Sequence, residues 1–346
     1  MALRWALLAA TLALLAACGG EPVGTPGATA TPTPTLTPAG GTPTPRGASN
    51  GAGGLPGTPA ATSPTPGDTA TPPPQGGAWR RGTPAPERRQ EVVGVLLDGW
   101  VYVLGGYLPE GIARDVVAYS PSRDTWERRA PMPEARHHMA AVAHGGRLYA
   151  FGGFADPTFN TPTDTCWVYH PAADRWEECA PMPTPRAAHG AVAVGDRIYV
   201  VGGRTGPESD ARNVAATEVY DPATGTWSAA APVPTPRDHL MVAVVNGRVY
   251  AIGGRALTPA QNLAVNEEYD PQSDTWRARA PMPTPRSGGG AAVLGGRIHV
   301  LGGETRTDVF AEHEAYDPAS DTWATLPPLP TPRHGLAVVS ADDALY

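Results

Sequence analysis

Lysine is missing from all 346 residues, so the 26 basic side chains are all arginine. That absence excludes chemistries built on a lysine amine, Schiff-base catalysis and the phosphate-gripping P-loop among them. Cysteine occurs only at Cys18, Cys166 and Cys179, which leaves no Cys-rich metal spacing. Between residues 79 and 346 there is no H-E-x-x-H and no G-x-S-x-G, so the common hydrolase signatures are absent there. Positive charge is also scarce. With Arg4, Arg46, Glu21 and Asp68 set aside, residues 79–346 hold 24 Arg against 31 acids, a balance of −7. A surface so biased argues against nucleic acid as a partner.

Large apolar residues are nearly absent from residues 19–78, where "TATPTPTLTP" and "SPTPGDTATPPP" are typical. This composition cannot form a core, and its proline keeps the chain extended, so residues 18–78 are expected to be a disordered stalk. Ahead of it, residues 1–17 place one Arg before a 13-residue apolar run ending in small residues, the layout of a secretory signal and too short to span a bilayer comfortably. The run stops at "LAAC", which resembles the lipobox of bacterial lipoproteins. The resemblance implies a lipid on Cys18, which would tether the chain to the extracytoplasmic side of a cell-envelope membrane.

What the remaining 268 residues have is a repeat. The skeleton W-x4-P-x-P-x2-R occurs at Trp79, Trp126, Trp176, Trp227, Trp276 and Trp323, at intervals of 47 to 51 residues, ending each time in an arginine: Arg89, Arg136, Arg186, Arg237, Arg286 and Arg333. A period in this range marks a stacked or radial array. After each arginine comes a short apolar run, a two-residue turn (Asp98-Gly99, Gly145-Gly146, Gly195-Asp196, Asn246-Gly247, Gly295-Gly296) and a second apolar run. These dipeptides suit the positive φ angles of a type I′ hairpin. The second run ends in a Gly pair, from Gly105-Gly106 to Gly302-Gly303, and a variable stretch leads to the pattern Tyr-x6-Trp, whose interior reads "DPATGT", "DPQSDT" or "DPASDT". Proline and a left-handed Asp or Gly make that a second hairpin turn. Each unit is therefore four short antiparallel strands. The Gly pairs imply close approach, expected from the Tyr and Trp rings of adjoining strands.

The Gly-Gly, Tyr-x6-Trp and Pro-Arg landmarks resemble the kelch repeat over residues 79–346. The resemblance implies an all-β propeller, here of six blades of four antiparallel strands, with the last blade closed by both chain ends. Trp79–Arg89 is then the outer strand of a blade begun by Leu336–Tyr346. Tyr346 lies 13 residues past Arg333, as Tyr102 does past Arg89, and the Gly pair due next does not follow, so the sequence reads as C-terminally truncated.

Repeats carry their own control: a residue present in every blade holds the blade, and one that breaks the pattern is a candidate for function. The six motif arginines are structural by this test. The stretches from Gly pair to Tyr run 12, 15, 16, 14 and 12 residues, so blades 2 to 4 project furthest. They offer Phe154 and Phe159, then Glu208, Asp210 and Arg212, then Gln261 and Asn262, as binding residues on the face shared with the Pro-Arg turns. His138, His189 and His239 stand two or three residues past the motif arginine, near the start of the innermost strand. They are candidates for a ligand site at the channel mouth, and neither metal nor cofactor is assigned.

The reading that follows is a binding module recognising a protein or glycan through its loops. The rival is an extracytoplasmic carbohydrate-active enzyme, since kelch propellers include galactose oxidase and a sialic acid mutarotase. The copper set of the first cannot be assembled from Cys166 and Cys179; the second needs a channel-facing Glu and Arg, for which Glu208 and Arg212 are the candidates. A structural envelope component is the third possibility. Finally, if Tyr169 faces Trp176 across the second hairpin of its blade, paired residue numbers sum to 345, and so do Cys166 and Cys179. They would lie directly opposite and could form a disulfide in an oxidising compartment.

Overall fold

A computed structural model describes residues 77–346; the signal, Cys18 and nearly all of the stalk lie outside the described residues. The first blade is built from β1 (Val93–Leu97), β2 (Trp100–Leu104), β3 (Val116–Ser120) and β4 (Thr125–Arg129), antiparallel and in that order from the inside out. The same four-stranded sheet recurs over 140–178, 190–230, 241–278 and 290–326, giving five complete blades of an all-β propeller. Hairpin turns come where the dipeptides stand. Asn246 and Gly247 both take positive φ, 51° and 73°. At Gly195-Asp196 only the glycine does, φ 56°, which fits a II′ turn, where the first central residue alone is left-handed.

The expected sixth four-stranded blade is not there in full. In its sector a hairpin pairs β5 (Ser340–Ala341) with β6 (Ala344–Leu345), and residues 77–89 form no strand. Among the described residues no third strand stands between them to pair with. Side-chain contacts still bind the chain ends into the ring. Gly94 of β1 packs against Ala337 and Val339, and the Trp79 indole N–H donates to the Pro327 carbonyl at 3.3 Å. Every later motif tryptophan makes the same bond to the preceding blade: Trp126 to Thr83, Trp176 to Ala130, Trp227 to Ala180, Trp276 to Ala231 and Trp323 to Ala280.

The tyrosine before each tryptophan packs on it with ring centres 5.0 to 5.1 Å apart in all five blades. The Gly pairs serve a different purpose from the one expected. They approach backbone, not aromatic rings: the first glycine that of the next blade, the second that of the segment entering its own. A Cβ on Gly152 would sit 2.4 Å from the Arg186 carbonyl, and the Gly153 N–H donates to that carbonyl at 3.0 Å. The pair thus brings the end of one blade's second strand onto the arginine that opens the next.

That arginine is a buried post. Arg237 donates to the Gly253 and Ala251 carbonyls and pairs with Glu267 at 2.6 Å. Arg186 pairs with Glu218 and Arg286 with Glu314 in the same way. Blade 2 has Trp167 where those glutamates stand, and Arg136 lies over its ring at 5.1 Å. Arg333 in the incomplete sector is exposed. Cys166 and Cys179 are joined by a disulfide with Cα atoms 5.0 Å apart; the register around them pairs Tyr169 with Trp176.

Candidate functional site

The residue two past each motif arginine lies on the propeller axis, where six backbones meet. Glu91, His138, Ala188, His239, Gly288 and Gly335 all take left-handed φ, between 52° and 62°. They form a belt of hydrogen bonds running from blade to blade. His138 N donates to Glu91 O at 3.5 Å, Ala188 N to His138 O at 2.7 Å, His239 N to Ala188 O at 2.8 Å, Gly288 N to His239 O at 3.2 Å and Gly335 N to Gly288 O at 2.8 Å. Val92 N donates to Gly335 O at 3.3 Å and closes it. A non-glycine residue in this conformation costs about 1 kcal/mol or more. Four of the six positions hold one, and three of those carry an ionisable side chain: Glu91, His138 and His239. These converge: His138 Nε2 is 3.1 Å from a Glu91 carboxylate oxygen, and the His138 and His239 rings stand 4.8 Å apart, with only the methyl of Ala188 between their blades.

Just outside the belt, the residue following the motif arginine bridges to the residue following a Gly pair: Gln90 to Tyr107, His137 to Phe154, Ala187 to Arg204, Asp238 to Arg255 and Ser287 to Glu304. The second members of these pairs ring the mouth, Tyr107 and Glu304 partly exposed and Phe154, Arg204 and Arg255 buried, and they divide it. One side is aromatic, with the His137 ring 4.3 Å from Tyr107, 5.3 Å from Phe154 and 5.2 Å from Phe159. The other side is charged. Arg255 donates to Asp238 at 2.9 Å, to Glu304 at 2.8 Å and to His239 Nε2 at 3.0 Å, while Asp238 accepts from His239 Nδ1 at 2.5 Å. Arg204 lies over the Phe154 ring at 5.4 Å and reaches Glu208 at 2.6 Å, joining the two sides.

Burial governs the titrations. It pushes the His137 imidazole down to about 4, helped by His138, and His239 to about 4, helped by Arg255. Burial would raise the Glu91 carboxyl, but His138, His239 and His334 outweigh it and hold Glu91 below the usual carboxylate range. Tyr107 is raised to about 12 by burial and by Glu91.

Asparagines clip the loops of the mouth together. Asn160 accepts from the Glu208 N–H at 3.0 Å, Asn213 donates to the Arg255 carbonyl at 3.1 Å, and Asn262 donates to the Glu304 carbonyl at 2.5 Å. Asp156 holds its own loop by accepting from the backbone of Thr158, Asn160 and Thr161, which keeps its carboxyl below the ordinary range against the opposing effect of burial.

Of the candidates named from sequence, the structure brings His138, His239, Phe154 and Phe159 to the mouth, and Asn262 to its rim. His189 is elsewhere. It sits one residue past the belt, buried against Gly203, and neither ring nitrogen has a hydrogen-bond partner. Glu208 and Arg212 do not meet: Glu208 is taken by Arg204, and Arg212 pairs with Asp210 at 3.0 Å on the exposed loop. Gln261 is exposed. Sequence reasoning missed Glu91, Tyr107, His137, Asp238, Arg255 and Glu304. A signal existed: the residue after the Gly pair reads Tyr, Phe, Arg, Arg, Glu across five otherwise regular repeats.

The model of the KLHDC2/KLHL20/DRC7 Kelch-repeats domain matches residues 75–203 and 180–346. The chain belongs to the kelch-repeat family. The solved structure of YjhT is similar to it with a TM-score of 0.60 and 16% identity, covering 69% of this chain and 84% of YjhT, a likeness of fold. No curated protein matches the kelch chain.

Proposed function

We propose that this kelch protein is a binding module, held on the extracytoplasmic side of a membrane by a lipid on Cys18, that takes a protein or glycan ligand at the loop-lined mouth of a six-bladed propeller. The sixth blade, in this reading, is the one shared by the chain ends, and the six-membered belt supports that count. The observation that carries the binding role is the division of the mouth. Strongly different side chains occupy equivalent positions on one rigid scaffold: Tyr107 and Glu304 partly exposed, and Phe154, Arg204 and Arg255 buried. Aromatic faces suit sugar rings or apolar side chains, and buried arginines suit oxygen-rich groups. The stalk gives the mouth reach from the membrane.

An enzymatic reading retains one supporting feature, the Asp238–His239 hydrogen bond, since a carboxylate that orients an imidazole is a common acid–base device. The pair Glu208 and Arg212 no longer supports it. Glycan and peptide arrays probed with the mature chain test the binding reading. Retention is expected for the native protein and loss for Phe159→Ser and Glu304→Gln; equal retention by both variants would place the ligand elsewhere. The anchor is tested separately, by the release of Cys18→Ser from the membrane fraction.

A further inference from the structure

We propose that Glu91, His138 and His239 form a binding site for a divalent transition-metal ion of the zinc class on the propeller axis, an assignment independent of the identity of the mouth's ligand. Each residue offers one ligand atom, and the three atoms lie within 4.8 Å of one another. Ligand atoms about 2.0 to 2.1 Å from a tetrahedral ion are about 3.3 Å apart. The Glu91–His138 separation of 3.1 Å is already of that size, so only His239 has to move inward. The three residues come from blades 1, 2 and 4 and are fixed by the belt, so the set is assembled by the fold.

The contacts around the cluster point the same way. His138 is fixed on its Nδ1 side by His137 Nδ1, 2.5 Å away, and turns Nε2 to the Glu91 carboxylate at 3.1 Å. On the other side His239 donates through Nδ1 to Asp238, which leaves Nε2 as its lone pair. A carboxylate holding the far nitrogen of an imidazole is the usual support of a metal-ligating histidine. One atom from each of the three groups is therefore gathered in one place, where a single cation can take all three.

The charge is suitable as well. Glu91, Asp238 and Glu304 supply three carboxylates against the one guanidinium of Arg255, a negative balance that a dication offsets. Arg255 at present donates to His239 Nε2 and must release it on metal binding. It keeps Asp238 and Glu304 when it does so.

The test uses the tag-free mature chain, titrated calorimetrically with Zn²⁺ at pH 7.5, with Co²⁺ as spectroscopic probe. One equivalent should bind. Glu91→Gln and His239→Gln should each weaken binding 10- to 100-fold, while His189→Gln, outside the cluster, should leave it unchanged. Co²⁺ should give visible bands that Zn²⁺ displaces. No binding by the native chain, or equal binding by the Glu91→Gln/His239→Gln double variant, would overturn the site.

Discussion

The indole of Trp79 and the carbonyl of Pro327, 248 residues apart in sequence, are joined by a 3.3 Å hydrogen bond. It repeats, between the ends of the chain, the link that every other blade makes to its neighbour. Trp79→Phe keeps the ring and deletes the donor, so it should cost about 1 kcal/mol. Trp79→Ala should cost more because the packing on His313, 5.9 Å between ring centres, goes too. Urea unfolding should show a lower midpoint at unchanged slope; native midpoints in both variants would show that the clasp contributes nothing.

The buried arginine posts give a sharper test. Glu267→Ala strands the Arg237 guanidinium in a fully buried place and should cost about 3 to 5 kcal/mol. Replacing both, as Arg237→Met with Glu267→Leu, should recover part of that loss. Blade 2 makes the comparison within one molecule, because there Arg136 rests on Trp167 and takes its carboxylate from the exposed Glu134 instead.

The disulfide of Cys166 and Cys179 closes a 13-residue separation across one hairpin. Reduction, or the Cys166→Ala/Cys179→Ala variant, should lower stability by about 2 to 3 kcal/mol without altering the fold. Alkylation of both thiols before any reductant is added would show that the bond does not form in the native protein.

Acid should weaken the protein through its unpartnered histidine. Burial, with Arg186 adding to it, lowers the His189 pKa from its ordinary 6.5 to about 3. The unfolded chain therefore binds a proton that the folded one refuses. The stability that this contributes is complete above pH 6.5 and is lost as pH falls toward 3, by on the order of 4 kcal/mol. His189→Gln should flatten that part of the pH profile; an unchanged slope would mean that His189 is protonated in the fold.

The blades were legible because their signals are local and repeated. Turn dipeptides, Tyr-x6-Trp and the Pro-Arg posts each depend on neighbours fixed by one repeat. Partners across repeats were not legible. The Gly pairs announced a close approach, but that the approaching atom is the next blade's Arg carbonyl follows from how blades splay around the axis. The site was half visible for the same reason. Loop length drew attention to the tips, Glu208, Asp210, Arg212 and Gln261, which extend away from the axis. The first residue of each loop, such as Arg255 or Glu304, bends inward. Glu91 was passed over because blade 1 carries no histidine at the belt position that identified His138 and His239.

The measurement that bears most directly on the binding role is hydrogen–deuterium exchange with a ligand recovered from the arrays. Protection is predicted at the loops of the mouth, residues 107–112, 154–163, 204–213 and 255–263. Protection confined to the opposite face, at the Asp98-Gly99, Gly145-Gly146 and Asn246-Gly247 turns, would contradict the account.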